Sequence, residues 1–391
     1  MKRLAVIVDT FPRWSERFIA RELKELLRRG ADFSVFCLKA GEPLPDDRDW
    51  DGLLGRRVVL PSGLLAERAR ASTPTVQQRW KEARRLLGLR GYKTLARAAS
   101  LRDRLLEGGF DHVHAHFANL PSTLGWLAAL DVKLPFSFAV HARDLFVEPQ
   151  LLEQKLTDCV GVFVCHARAQ EYLAARTAQK DRVRLMHHGL PLEQYPRRLE
   201  LGGPGLGIVA AGRLVPKKGF DILLDAAARL ARAGRLFALM LLGDGPERGK
   251  LLAKIRALRL EGQVVLKKPV GGAELRDILN GADLFAAPYR TASDGDSDGV
   301  PNAVLEAFAL GAPVIGTDAG GLSEILTPRT GTVVPQNDVA ALTQALAEFL
   351  EAPRAALQKT GAARRLVEAD YDIRRNIEPL WELVQGGAGA S

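Results

Sequence analysis

The run Asp298-Gly299-Val300-Pro301-Asn302-Ala303-Val304-Leu305-Glu306 holds two carboxylates eight positions apart around a glycine and a proline. Pro301 suits the first turn of a helix, where a missing N–H costs nothing. The N–H groups of Val300 and Asn302 would then lie free at the positive end of the helix dipole, a site for an anion. Glu306, about one turn further in, offers a carboxylate to hydroxyl donors. A sugar nucleotide, with its diphosphate and its ribose hydroxyls, meets both demands. A calcium loop competes, because Asp294, Asp296, Asp298 and Gly299 match the opening of an EF-hand. Its bidentate position falls on Leu305, and Glu306 is one residue late, about 100° around a helix. The spacing argues against calcium.

Three further motifs sit where the pattern predicts carboxyl ends of strands. Gly212-Arg213 follows a strand over 207–211, and Lys217-Lys218-Gly219 opens a helix over 217–232. Arg213 and Lys218 beside a helix start make a diphosphate clamp. Gly243-Asp244-Gly245-Pro246 follows a strand over 237–242, as a sharp turn that lets a ligand approach the backbone. Asp318-Ala319-Gly320-Gly321 with Glu324 follows a strand over 313–316. Strands over 264–266 and 284–287 alternate with helices over 247–258, 274–280 and 302–310. No G-x-x-x-x-G-K-[ST] is present, and the first strand ends Val8-Asp9-Thr10-Phe11-Pro12 without the glycine triplet of a dinucleotide site.

The first half alternates in the same way. Strands are expected over 3–8, 32–38, 111–116, 136–141, 160–165 and 183–187. Ser15 caps a helix that Gly30 ends, and other helices start near 119, 148 and 167. With 391 residues, two domains are expected. The fold class is α/β: two Rossmann-like, doubly wound domains facing across a cleft at their strand carboxyl ends. Residues 1–200 form the first domain and 205–352 the second, with a glycine-rich hinge over 196–205. Helices over 353–391 are expected to pack back on the first domain.

Composition sets further limits. Cys37, Cys159 and Cys165 lie in apolar runs and read as buried free thiols of a reducing compartment. No run has signal-peptide layout or 18 consecutive apolar residues. Between Arg56 and Arg104, 13 basic residues face three acidic ones. Val76, Trp80, Ala83 and Leu87, with Leu86, recur there at helical spacing, which reads as a basic amphipathic element for an anionic membrane surface. No nucleic-acid recognition motif accompanies the arginines. His112, His114 and His116 share one face of a strand and could ligate zinc. The competing reading, histidines hydrogen-bonded in the cleft, is preferred, so no metal is expected.

The order of these motifs resembles the retaining glycosyltransferases of family four, which have the GT-B fold. Gly212-Arg213-Leu214 with Lys218-Gly219, Gly243-Asp244-Gly245-Pro246, the 298–306 run, and Gly320-Gly321 with Glu324 carry the resemblance over most of 205–350. In the first half it rests on Phe11-Pro12, Ser15-Glu16-Arg17-Phe18-Ile19, His114-Ala115-His116-Phe117 and His141-Ala142-Arg143-Asp144. These look like the branch that builds bacterial exopolysaccharides and lipid-linked glycans. The resemblance implies that Arg213 and Lys218 neutralise the departing diphosphate and that His141 faces the transferred sugar. It implies that Gly212, Gly243, Gly245, Gly299, Val300, Asn302 and Glu306 bind the nucleotide, with Glu306 on the ribose. Asp298 stands where the family usually has glutamate, and Ser15 would line the acceptor side. Asp298 is one methylene short, the first loop lacks a glycine pair, and Lys267-Lys268-Pro269 replaces a glycine turn near the base. The expected function is retaining, metal-independent hexosyl transfer from a UDP- or GDP-sugar to a glycan or lipid-linked acceptor. Its expected place is cell-surface polysaccharide synthesis at the inner face of the cell membrane. A sugar-nucleotide epimerase or phosphorylase, and a non-catalytic membrane-associated binder, are the alternatives.

Overall fold

The computed structural model describes residues 2–44, 47–61, 73–147, 149–198, 200 and 207–386. Within them the chain divides into two compact units. Unit one comprises residues 1–43, 50–187 and 376–391, and unit two comprises 44–49 and 188–375.

Unit one contains β1 (Arg3–Phe11), α1 (Arg17–Arg28), β2 (Asp32–Ala40), β3 (Arg57–Val59), α2 (Pro74–Leu87), α3 (Leu89–Gly108), β4 (His112–His116), α4 (Leu120–Val132), β5 (Phe136–Val140), α5 (Ala142–Phe146), α6 (Leu152–Asp158), β6 (Gly161–Val164), α7 (Ala167–Ala174) and β7 (Val183–Leu185). The strands form a parallel sheet in the order β3-β2-β1-β4-β5-β6-β7. Side chains alternate across a strand, so Ala5 and Ile7 enter one core and Leu4, Val6 and Val8 the other. Burial on both faces explains why these strands read as continuous apolar runs.

Unit two contains β8 (Gly207–Ala211), α8 (Phe220–Arg232), β9 (Ala238–Leu242), α9 (Arg248–Ala257), β10 (Val264–Lys267), α10 (Gly272–Gly281), β11 (Leu284–Ala287), α11 (Asn302–Leu310), β12 (Val314–Thr317), β13 (Thr332–Val334), α12 (Val339–Glu351), α13 (Pro353–Asp370) and α14 (Ile373–Asn376). The strand order β10-β9-β8-β11-β12-β13 reverses direction between β8 and β11. In such a sheet ligands collect at the strand carboxyl ends beside that reversal, which here are Gly212-Arg213 and Pro288-Tyr289. After α14, α15 (Glu378–Gln385) joins unit one, where Leu380 and Val384 enter its core and Glu378 pairs with Arg29 at 2.6 Å. Residues 353–375 belong to unit two.

Several local expectations change. Ser15 does not cap α1: it lies in a 3-10 turn, Trp14–Glu16, and Glu16 occupies the N-cap without a side-chain capping bond. Lys217 and Lys218 precede α8 in a 3-10 turn of their own, Pro216–Lys218, which Gly219 ends. The apolar face of α2 is turned inward. Val76, Trp80 and Ala83 are buried in the unit-one core, with the Trp80 indole N–H 3.4 Å from the Leu127 carbonyl. A tryptophan used this way cannot anchor a membrane, so only the outer face of α2, with Lys81, Arg84, Arg85 and Leu86 exposed, is left for one. Residues 62–72 of the basic segment, 199 and 201–206 of the hinge, and the expected helix start at 148 lie outside the described residues. Among the described residues, no helix is long and apolar enough to cross a membrane. All three cysteines are buried free thiols, and burial pushes the Cys159 thiol up to about 12.

Candidate active site

In unit two the site grows from the turns that follow β8, β9, β11 and β12. The turn after β9 nests on the turn after β8. A Cβ on Gly243 would lie 1.9 Å from the Gly212 carbonyl oxygen, and one on Gly245 would lie 2.6 Å from that of Leu214. These glycines therefore serve a turn-to-turn contact that the sequence reading did not include. The same logic holds around Gly219, whose φ is +61° and whose Cβ would sit 1.8 Å from the Pro288 carbonyl oxygen. The Lys217-Lys218 turn is thus pressed against the end of β11. Arg290 braces it, donating its backbone N–H to the Lys217 carbonyl at 2.9 Å and its Nε–H to the Pro216 carbonyl at 2.8 Å.

That brace aims two lysines at the acidic loop. Lys217 is buried and its Nζ lies 2.9 Å from Asp296 and 3.1 Å from Asp298. Lys218 Nζ lies 2.5 Å from the other Asp298 oxygen and 3.9 Å from the centre of the Tyr289 ring. Burial opposes the charge on Lys218, but Asp298 and Tyr289 outweigh it and hold its pKa above the ordinary lysine value. Burial also opposes ionisation of Asp298, but Lys218 and then Lys217 hold it well below the usual carboxylate range. Asp296 pairs with Lys217, so Asp296 and Asp298 form an ion-pair network with the two lysines.

The 298–300 backbone rests on the turn after β12. Gly321 donates its N–H to the Asp298 carbonyl at 2.9 Å, and its Cβ would lie 2.6 Å from the carbonyl carbon of Gly299. Gly320 and Gly321 are a seat for this loop. Pro301 is the N-cap of α11, and its carbonyl takes the first helical N–H groups, from Val304 and Leu305. The N–H groups of Val300 and Asn302 donate to no described residue, as expected at a helix start. Asn302 and Glu306 are four apart and share one helix face. Glu306 is buried and Asn302 partly exposed. Arg213 is partly exposed, and among the described residues its side chain has no hydrogen bond or ion pair. Unit two therefore brings together Arg213, Lys218, Asp298 and the start of α11 at a sheet's reversal point.

In unit one, His141 follows β5 and is the N-cap of α5, where Asp144 accepts its N–H at 3.1 Å in a capping box. Its ring packs on Phe117 (4.5 Å) and Phe18 (4.9 Å) and lies parallel to that of His116 at 6.1 Å. His112 and His114 do not form a ligand set. Nε2 of His112 and Nδ1 of His114 both bond Ser137 Oγ, at 2.7 and 2.9 Å. Burial pulls the His112 pKa down to about 4, with Lys2 adding to the effect. Tyr289, whose ring faces Lys218, and the pairing of Lys217 with Asp296 and Asp298 are site features that sequence reasoning missed. Asp296 beside Asp298 was a sign of Lys217, since two adjacent acids at a site for an anion need a cation.

The comparisons agree with this geometry. Residues 205–352 match the model for glycosyl transferases group 1, and residues 15–194 match that for glycosyltransferase family 4. The chain belongs to the family-four glycosyltransferases. Over 207 residues this chain is 32% identical to a protein named for colanic acid biosynthesis, WcaL of Escherichia coli (strain K12), covering 51% of each chain. It is 36% identical over 188 residues to the GDP-mannose-dependent alpha-(1-6)-phosphatidylinositol monomannoside mannosyltransferase of Mycolicibacterium smegmatis, covering 46% of this chain and 49% of that one. The match spans about half the length of these curated relatives. Its fold is shared with Anabaena Alr3699/HepE, solved in complex with UDP-glucose, at a TM-score of 0.72 and 16% identity over 99% of this chain and all of that one. The fold is therefore GT-B, with a Rossmann-like sheet in each unit.

Proposed function

We propose that this glycosyltransferase moves a hexose from a UDP- or GDP-sugar to a hydroxyl of a glycan or lipid-linked acceptor, with retention and without a metal, in cell-surface polysaccharide synthesis. The observation that carries this reading is the convergence of Arg213, Lys218 and the α11 start at the β8/β11 reversal. The diphosphate takes the N–H groups of Val300 and Asn302, and Glu306 takes the ribose hydroxyls. As the bond from C1 to the diphosphate oxygen breaks, charge on the leaving group is met by Arg213 and Lys218, whose fixed cations do the work of a metal. The acceptor oxygen bonds C1 on the same face, and its proton passes to the departing phosphate oxygen. Asp298 and His141 face the sugar. The relatives' names support the sugar-nucleotide class and divide on the base, GDP in one and UDP in another. The exposed cations of α2 hold the enzyme to the anionic inner face of the membrane from the cytoplasm.

The test is a panel of UDP- and GDP-hexoses with EDTA, glycan and lipid-linked acceptors, and the product's anomeric configuration read by NMR. One donor should give a product of retained configuration, and Lys218→Ala should lose about 10²–10³ in kcat. Inversion, a metal requirement or donor turnover without acceptor would each defeat this reading.

A further inference from the structure

Unit one buries a lysine that the proposed chemistry does not use. Lys155 on α6 is completely inaccessible, and among the described residues the hydrogen-bond partners of its Nζ are a carbonyl and two hydroxyls rather than a carboxylate. Burying an ammonium without a close counter-ion is costly, and such a group persists only where its donors are spent well. Burial pulls its pKa down to about 7, against the opposing pull of Asp144.

Lys155 Nζ donates to the Ala118 carbonyl at 2.8 Å and to Ser122 Oγ at 2.7 Å. The other side of the same residue is held too: the Ala118 N–H donates to Asp144 Oδ2 at 2.6 Å. Ala118 is thus clamped at both its polar groups: its carbonyl accepts from Lys155 and from the Gln150 N–H at 3.1 Å, and its N–H donates to the carboxylate that caps His141. The residue before it, Phe117, has φ +74°. That conformation is costly for a non-glycine residue and persists only where its surroundings over-determine it. The Phe117 ring packs on that of His141, with centroids 4.5 Å apart.

We infer that Lys155 is a positioning residue for the transferase reaction proposed above: by clamping Ala118 it holds the strained Phe117 turn against which His141 is oriented. The inference rests on that reading for its rate effect and on unit-one geometry for its structural effect.

The experiment uses the full-length Lys155→Met variant, which keeps the volume and removes the donors. Three quantities are read: kcat, the UDP and GDP dissociation constants, and the NMR signals of the His141 ring. The expected result is a kcat fall of about 100-fold, the scale of a misplaced reacting group, with nucleotide affinity within twofold of wild type and shifted His141 ring signals. A rate within threefold of wild type with unmoved His141 signals would overturn the inference. Should Lys155→Met fail to fold, Ser122→Ala removes one partner of the ammonium. It should shift the same ring signals and lower kcat about tenfold, and no shift rejects the proposal. If wild-type protein transfers no sugar, the functional reading has failed, and the ring shift alone decides the positioning claim.

Discussion

Asp298→Asn separates the two lysines of the site. In the structure Asp298 contacts both, at 3.1 Å to Lys217 and 2.5 Å to Lys218, but Lys217 also has Asp296 at 2.9 Å. An amide at position 298 therefore leaves Lys217 neutralised and Lys218 without its carboxylate. Removing one partner of a buried ion pair costs about 3–5 kcal/mol. The Lys218 and Asp298 side chains are 12% and 17% exposed, so the lower end, about 3 kcal/mol, applies. For a unit of this size that lowers Tm by about 6–12 °C. A nucleoside diphosphate would replace the missing negative charge, so UDP or GDP should raise Tm more in Asp298→Asn than in wild type. Calorimetric melting of both proteins, with and without each nucleotide, measures this. Equal melting temperatures, or weaker nucleotide stabilisation of the variant, would refute the idea that Asp298 occupies the cation the diphosphate needs.

Three further outcomes follow from the geometry. His112 is held neutral in the fold with a pKa of about 4, so it contributes stability present above the unfolded value of 6.5 and lost as pH falls from 6.5 toward 4. His112→Gln should remove about 3 kcal/mol of that pH dependence in urea melts at pH 4 and 7. Gly219→Ala should destabilise unit two by at least about 1–3 kcal/mol, because its Cβ meets a carbonyl at a positive φ, and a melt within about 0.5 kcal/mol of wild type would contradict the brace. Sedimentation with anionic vesicles should fall with salt and with Arg84 and Arg85 changed to glutamine, whereas Trp80→Phe should affect folding rather than vesicle binding.

The parts of the fold that local chemistry dictates were legible. The span of α11, residues 302–310, follows from Pro301 and the apolar run after it, and β8 and β11 follow from runs buried on both faces. Of the three-residue strands, β3 and β13 are too short to show a period, whereas β7 was read as part of the longer apolar run 183–187. Trp80 shows the ambiguity of an amphipathic helix: the pattern of Val76, Trp80 and Ala83 is the same whether that face meets lipid or a protein core. Lys155 was illegible because its meaning depends on Ala118 and Ser122, more than 30 positions away. The nesting of the 243–245 glycines against Gly212 and Leu214 is a contact between turns that sequence spacing does not contain.

The most direct test of the central claim is calorimetric titration of UDP and GDP, in EDTA, into wild type and Glu306→Ala. The account predicts that one of the two binds wild type without metal and that Glu306→Ala weakens it about tenfold or more, the loss of a charged hydrogen bond to a ribose hydroxyl. Absence of binding by either nucleotide, or equal binding by the variant, would contradict the assignment of α11 as the sugar-nucleotide site.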